Sequence, residues 1–409
     1  MITIKNMNTL ATEGISGKIR YAVLSFFLAQ GLCFSSWASR IPDIKAYFDV
    51  SYAFYWGLVL FLIPVGKFIA IPLAGYLVSK LGSRIMVQIS ILGYGLSLFC
   101  IGMASHIVML GVFLFCFGVF WNLCDISLNT QAIGIERRHG KTIMATFHGG
   151  WSLAACLGAL IGFIMILMDM TPFYHFSLIA AIIALIVLSC RRFLQNDAPV
   201  EAEAKEEEAE KPARKFRMPE KLLLQLGVVG LFALIVESAM FDWSGIYFES
   251  VLEAPKSLQI GFLVFMVMMA AGRFLTNQAY KIFGKKNVLL IAGSLIFTGF
   301  LTSALLGDLF QAMTLKVIVN SLGFMFVGLG ISCMVPTIYS FVGAKSKTPL
   351  GIALTILSSI SFIGSLVAPL LIGAITQVFS IRYAYLVVGL LGLCIVLMVR
   401  FADAFKTEE

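Results

Sequence analysis

The sequence predicts an all-α membrane protein with 12 transmembrane helices in two pseudo-symmetric six-helix bundles. Three observations carry this. The 409 residues are 59% hydrophobic and only 13% charged, with a mean hydropathy of +0.94. A soluble domain carries about a quarter charged residues. The apolar runs are continuous over about 20 residues, the length a helix needs to cross a bilayer, and do not alternate as barrel strands do. One long polar connector divides the runs into six and six.

The helices are expected at 20–45, 53–79, 85–104, 107–133, 142–168, 173–193, 222–250, 258–281, 287–307, 314–342, 350–378 and 382–401. Helix 1 follows a polar, weakly basic start, and its apolar stretch is too long for a cleaved signal peptide. Helix 2 carries Pro64 and Pro72, and helices 10 and 11 carry Pro336 and Pro369, all marking kinks. Helix 3, from Ile85 to Ala104, is unbroken. Helix 4 is apolar except for a polar stripe. Helix 5 holds glycines at 149, 150, 158 and 162, and helix 11 at 351, 364 and 373. These are expected to let the two halves approach closely. Between helices 6 and 7, the acidic run Glu201–Glu210 and the basic Arg214, Lys215 and Arg217 read as a solvated linker. The domains are therefore 1–193, the linker 194–218, and 219–409.

The net charge of +8 is mostly topology. With both termini cytoplasmic, the inner segments hold 23 Lys and Arg residues and the outer ones five: Arg40, Lys45, Lys256, Lys316 and Arg382. That asymmetry is the positive-inside pattern. The chain is therefore expected to be a multi-pass protein with the lipid bilayer as its surroundings and no nucleic acid as partner. The eight cysteines lie singly in apolar runs with no C-x-x-C pair, so they read as packing residues. No metal or cofactor set is recognisable. Four scattered histidines offer no acid, base and nucleophile constellation, so an enzyme is not expected.

The halves align by apolar run, pairing Trp37 with Trp243, Gly57 with Gly261, Gly82 with Gly284, Lys141 with Lys347 and Gly158 with Gly364. Between helices 2 and 3, Gly75-Tyr-Leu-Val-Ser79-Lys80-Leu-Gly82-Ser-Arg84 resembles the loop signature G-x-L-[AS]-D-R-x-G-[RK]-[RK] of the major facilitator superfamily. A degenerate second copy is Phe283-Gly284-Lys285-Lys286. In that family the loop Asp latches the cytoplasmic gate. Here Ser79 replaces it, so the resemblance leaves the latch to Lys80, Arg84 and Glu136. Asp125-Ile-Ser127-Leu-Asn129 is similar to a stretch of the proton-coupled fucose permeases in which the acid binds sugar. Trp37-Ala-Ser-Arg40-Ile-Pro42-Asp-Ile-Lys45 and Phe147-His148-Gly-Gly-Trp151-Ser152 look closer to YbjJ-like bacterial permeases of the same branch. That resemblance implies the bacterial inner membrane as the location. One departure is Ala38, where fucose permeases place a proton-carrying Asp.

Five ionisable residues fall well inside expected helices, away from their ends: Lys67, Asp125, Glu237, Asp242 and Arg273. Each charge at midplane costs roughly 2.5–3.5 kcal/mol on insertion scales, so each is expected to face a cavity or a partner. Two readings of Lys67 and Arg273 stay open: attraction of an anionic substrate, or structural ion pairs. Asn122, Asp125 and Asn129 share one face of helix 4 and read as substrate contacts. Gln30, Phe34 and Trp37 form a stripe on helix 1. Asp242 and Trp243 are expected to contact substrate. Glu237, read as having little polar help nearby, is the expected proton carrier, with Asp125 as the alternative. His148 is a gate hydrogen bond, a proton site or a packed histidine.

The function these features and the resemblance imply is alternating-access secondary transport by a monomer. The expected cargo is a sugar or other small polar metabolite, taken up with protons. Export of an amphipathic compound and exchange of an organic anion are the transport alternatives. A nutrient sensor is the alternative from another class.

Overall fold

The computed structural model describes residues 2–139, 143–195 and 219–405. Most of the linker, Lys141 and the acidic run Glu201–Glu210 fall outside the described residues. Every regular element among the described residues is helical. Eleven helical stretches are long and apolar enough to cross a membrane. One of them, Lys256–Leu306, has 51 residues. At about 1.5 Å per residue it is more than twice the roughly 30 Å hydrocarbon core. Gly284, with φ 75 and ψ 155, breaks it into helices 8 and 9, so the described residues form 12 helices of membrane-spanning length.

The twin of that break is Gly82, with φ 80 and ψ 151, between helices 2 and 3. A side chain is strained in this region of backbone space, which glycine enters freely. The two paired glycines thus adopt one backbone conformation in corresponding loops. The pair Gly158 and Gly364 behaves the same way. A Cβ on Gly158 would lie 3.1 Å from the Leu32 carbonyl oxygen of helix 1. On Gly364 it would lie 2.2 Å from that of Leu231 in helix 7. Helices 1 and 5 therefore pack as helices 7 and 11 do.

Those contacts also correct the reading of the glycines in helices 5 and 11 as a seam between the halves. Gly150 and Gly158 approach helix 1, and Gly364 approaches helix 7, each inside its own run of six helices. Gly373, by contrast, meets Ala53, Phe54 and Gly57 of helix 2.

Two breaks have a proline cause. Helix 1 (Ile2–Ser39) stops short of the expected 45. A separate short helix, Ile41–Tyr47, follows with Pro42 in its first turn. Pro42 has no N–H to continue the ladder. Helix 10 is split at Cys333 into Met313–Ser332 and Met334–Lys345, because Pro336 offers no N–H to the Ser332 carbonyl. Pro64, Pro72 and Pro369 lie within continuous helices.

The helices group into two compact units. The first contains the described residues of Met1–Trp37, Leu62–Gly158 and Thr171–Arg214. Its core is aromatic: Tyr94 lies 4.4 Å from Phe117, and Trp37 lies 6.2 Å from Phe117. Gln131 ties the chain after helix 6 to helix 3, donating to the Ser83 hydroxyl at 2.6 Å and to the Gln195 carbonyl at 3.1 Å. It also accepts from the Gln195 amide at 3.0 Å.

The second unit contains the described residues of Ala38–Phe61, Ala159–Met170 and Lys215–Glu409. It thus joins the C-terminal helices to the end of helix 1, the start of helix 2 and the end of helix 5. Trp243, Tyr247 and Tyr385 are buried in it, with the Tyr247 and Tyr385 rings stacked at 4.8 Å. Large apolar side chains remain exposed all along both units, Leu185, Leu188 and Leu322 among them, as a hydrocarbon surround requires.

Candidate functional site

In the first unit, the polar stripe of helix 4 meets helix 1 through Asp125. Its carboxylate accepts from the Gln30 amide at 3.5 Å and from the Asn129 amide at 3.3 Å. The three spaced residues Asn122, Asp125 and Asn129 are each half-buried in an otherwise apolar helix. Their shared face is what the 3.6-residue period demands. Gln30 Oε1 and Asn129 Oδ1 are buried acceptors with no hydrogen bond among the described residues. Leaving such a group unmet costs about 1–3 kcal/mol, which a hydroxyl or amine donor would remove.

An aromatic wall stands beside this polar group. Phe34 is 4.8 Å from Trp121 and 5.8 Å from Trp151, by ring centroids. Lys67 places its ammonium 3.8 Å from the centre of the Trp121 ring, and its backbone carbonyl accepts from Asn122 at 3.0 Å. The cation is held over the negative face of the indole. Trp37, on the same stripe of helix 1 as Gln30 and Phe34, is 1% exposed and packs in the core.

In the second unit, Arg273 of helix 8 reaches Glu237 of helix 7 at 3.6 Å, with both side chains largely buried. This corrects the expectation that Glu237 has little polar help. It also supplies the ion pair that was one of the two open readings of Arg273. Asp242 lies further along helix 7, beside the buried Trp243. The Tyr247 hydroxyl donates to the Ser303 carbonyl at 2.8 Å.

The expected gate residues are dispersed. Ser79 donates to the Tyr76 carbonyl at 2.8 Å, and Lys80 donates to the Tyr76 hydroxyl at 3.3 Å. Arg84 donates to the Arg191 and Arg192 carbonyls at 3.5 and 3.4 Å. Glu136 accepts from the Ile143 and Met144 amides at 2.5 and 2.8 Å, so it caps the start of helix 5. His148 is exposed, with its ring edge-on to Phe27 at 5.5 Å.

One cluster was not singled out from the sequence. Arg40, read there as an outer charge and as part of the stretch that looks like the YbjJ-like permeases, is 3% exposed and contacts Asp43 at 2.5 Å. It donates to the Met170 carbonyl at 2.6 Å. Burial pushes the Asp43 carboxyl up, against the pull of Arg40 and Lys256. The available signal was the opposite charge at i and i+3 across Pro42. Among the described residues there is no group of three or more His, Cys, Asp or Glu placed to hold a metal.

Residues 22–349 match the Major Facilitator Superfamily over four-fifths of the chain. The chain belongs to that superfamily. As a major facilitator protein it is a transporter. It is 27% identical to the uncharacterized transporter y4wD of Sinorhizobium fredii, over 90% of this chain and 94% of that protein. It is 25% identical to the membrane protein MosC of Rhizobium meliloti, over 95% and 91%. Among solved structures, the nucleoside transporter NupG superposes with a TM-score of 0.69 at 13% identity, covering 94% of this chain and all of NupG. The human organic anion transporter MFSD10 gives 0.63 at 16%, covering 94% and 99%. At such identities these two speak to the fold alone.

Proposed function

We propose that this major facilitator transporter is a proton-coupled importer of a sugar or other small hydroxyl-rich metabolite, of the fucose-permease-like and YbjJ-like branch. The observation that carries the reading is the Asp125 carboxylate held between the Gln30 and Asn129 amides beside the Phe34, Trp121 and Trp151 rings. A carboxylate and amides with spare acceptor atoms suit hydroxyl donors, and aromatic faces suit the C–H face of a ring. Relatives named as transporters and the fold shared with a nucleoside transporter support the class.

The test is Asp125→Asn. A thermal-shift panel of sugars, nucleosides and carboxylates on the parent protein identifies a ligand, since binding to the folded state raises the melting temperature. The variant should lose that shift and lose counterflow in liposomes, while melting unliganded like the parent. A retained shift removes Asp125 from the site.

Exchange of an organic anion is the second reading, and the ammonium of Lys67 over Trp121 favours it. It predicts stabilisation by carboxylates that Lys67→Met abolishes.

The 23 to five distribution of Lys and Arg supports an inner-membrane protein with cytoplasmic termini and halves at 1–193 and 219–409. A cysteine at Lys45 should react with an impermeant reagent outside intact cells, and one at Glu207 should not. The reverse result inverts the topology.

A further inference from the structure

At one end of the first unit, helices 3 and 6 bring three guanidinium groups together. The two helices adjoin: a Cβ on Gly102 would lie 3.0 Å from the Phe173 Cα, and one on Gly95 would lie 3.2 Å from the Ile183 side chain. Helix 3 begins at Ser83, so Arg84 lies in its first turn, and Arg191 and Arg192 open the short 3-10 turn that follows helix 6. The Arg84 side chain donates to both of their carbonyls, which ties its charge to theirs. The helix dipole accounts for two of the three, because cations suit the C-terminal end of helix 6. It does not account for Arg84, because the start of a helix favours an anion, and the first turn of helix 3 carries no acid. The carboxylates described in this unit are engaged elsewhere: Asp125 by Gln30 and Asn129, and Glu136 at the start of helix 5. Like charges gathered in this way repel, so the cluster calls for an anion that helices 3 and 6 do not supply.

Position says what kind of anion fits. The stretches Ser83–Met103 and Pro172–Phe193 are each long and apolar enough to cross the membrane, and the three arginines sit at their ends, at the depth of the lipid headgroups. Arg191 and Arg192 are exposed. Next to Arg84, the exposed Ile85, Ile89, Leu92 and Leu96 recur at helical spacing along helix 3. On helix 6 the exposed Leu185 and Leu188 lead up to the arginine pair. An apolar face that ends in guanidinium groups matches an amphiphile with an anionic head. The planar fork of each guanidinium meets the two non-bridging oxygens of a phosphodiester together. A zwitterionic headgroup would bring its own cation against the cluster.

We propose that Arg84, Arg191 and Arg192 form a headgroup site for an anionic phospholipid at the ends of helices 3 and 6, with the acyl chains along the exposed isoleucines and leucines. The site stands on membrane insertion alone. It holds for either orientation of the chain and for any cargo. Two basic side chains near an anionic headgroup are worth roughly ten- to thirtyfold in affinity.

The experiment titrates delipidated full-length protein in a neutral detergent with dioleoylphosphatidylglycerol and, separately, with dioleoylphosphatidylcholine. Native mass spectrometry counts bound lipid, and thermal melts follow the stabilisation that binding brings. The parent should bind phosphatidylglycerol more tightly than phosphatidylcholine and melt higher with it. Arg191→Gln combined with Arg192→Gln removes two charges but keeps the carbonyls that hold Arg84. It should weaken phosphatidylglycerol binding roughly tenfold or more and leave phosphatidylcholine binding unchanged. Lys281→Gln combined with Lys286→Gln removes the same charge at the junction of helices 8 and 9 and should bind like the parent. If the double arginine variant does not fold, Arg192→Gln alone decides. Equal phosphatidylglycerol affinity in the parent and the arginine variant overturns the site. Equal weakening in the arginine and lysine variants also overturns it, since surface charge in general would then explain the binding. A melting shift reproduced by glycerol 1-phosphate replaces the lipid with a soluble phosphate. A preference for phosphatidylglycerol that emerges only after deletion of Glu201–Glu210 overturns the proposal in favour of that acidic run as the occupant.

Discussion

Among single residues, the pairing of Arg273 with Glu237 separates what the sequence can and cannot say. Both were visible as charges in apolar helices, and the cost of an unpaired charge at that depth requires a partner or a cavity. Which partner was not visible, because the meeting depends on the rotation of helices 7 and 8 about their axes. The same limit applied to Gln30, whose approach to Asp125 crosses from helix 1 to helix 4. The helix 4 stripe itself was legible, since a spacing of three and four fixes a face without reference to a neighbour. With Glu237 paired, Arg273→Met removes the guanidinium from beside a largely buried carboxylate. The loss should be roughly 1–3 kcal/mol, below the 3–5 kcal/mol typical when a fully buried pair is broken. Adding Glu237→Gln should recover part of it, as read by thermal melts of the single and double variants. Equal melting of all three and the parent would mean that the 3.6 Å contact contributes nothing.

Elements were legible where the pattern is local. Apolar runs set the crossings, and the paired glycines of the two loop signatures turned out to share a backbone conformation as well as a position. The break after helix 1 was not read, although its cause, Pro42, is in the sequence. The apolar run continues through it, and periodicity registers composition more readily than a missing N–H. Helix 10 shows the converse, with Pro336 marking a real interruption at Cys333. The loop glycines give a test at this scale. Gly284 has open space around it but a φ of 75, so alanine there is strained by backbone conformation alone. Gly284→Ala should cost roughly 1–3 kcal/mol. Gly75 also has open space and no such φ, and Gly75→Ala should be neutral or slightly stabilising because it favours helix. Chemical-denaturation or melting curves in one detergent compare the two. Equal effects would place the strain elsewhere.

Across the molecule, the charges gathered around the short helix Ile41–Tyr47 carry a pH dependence of definite sign. Asp43 faces Arg40 on its own segment, Glu249 of helix 7, which Lys45 also faces, and Lys256 with its partner Asp169 from the two neighbouring loops. Desolvation raises its carboxyl above the ordinary value of 3.8, and the cations beside it oppose that shift without cancelling it. The folded arrangement therefore holds a proton more tightly than an unfolded chain in which Asp43 meets water. By linkage, this group favours folding as pH falls from the raised value towards the ordinary one, and that gain is lost as pH rises through the raised value. Melting temperatures followed from pH 7 to about pH 4, the range in which perturbed carboxylates titrate, should carry this gain on the acid side. Asp43→Asn should flatten the profile while leaving the protein folded. A parent profile that loses stability on acidification relative to Asp43→Asn would show that losing the Arg40 to Asp43 attraction outweighs the relief of desolvation, and a profile unchanged in Asp43→Asn would assign the response to Glu249 or to the pair Lys256 and Asp169 instead.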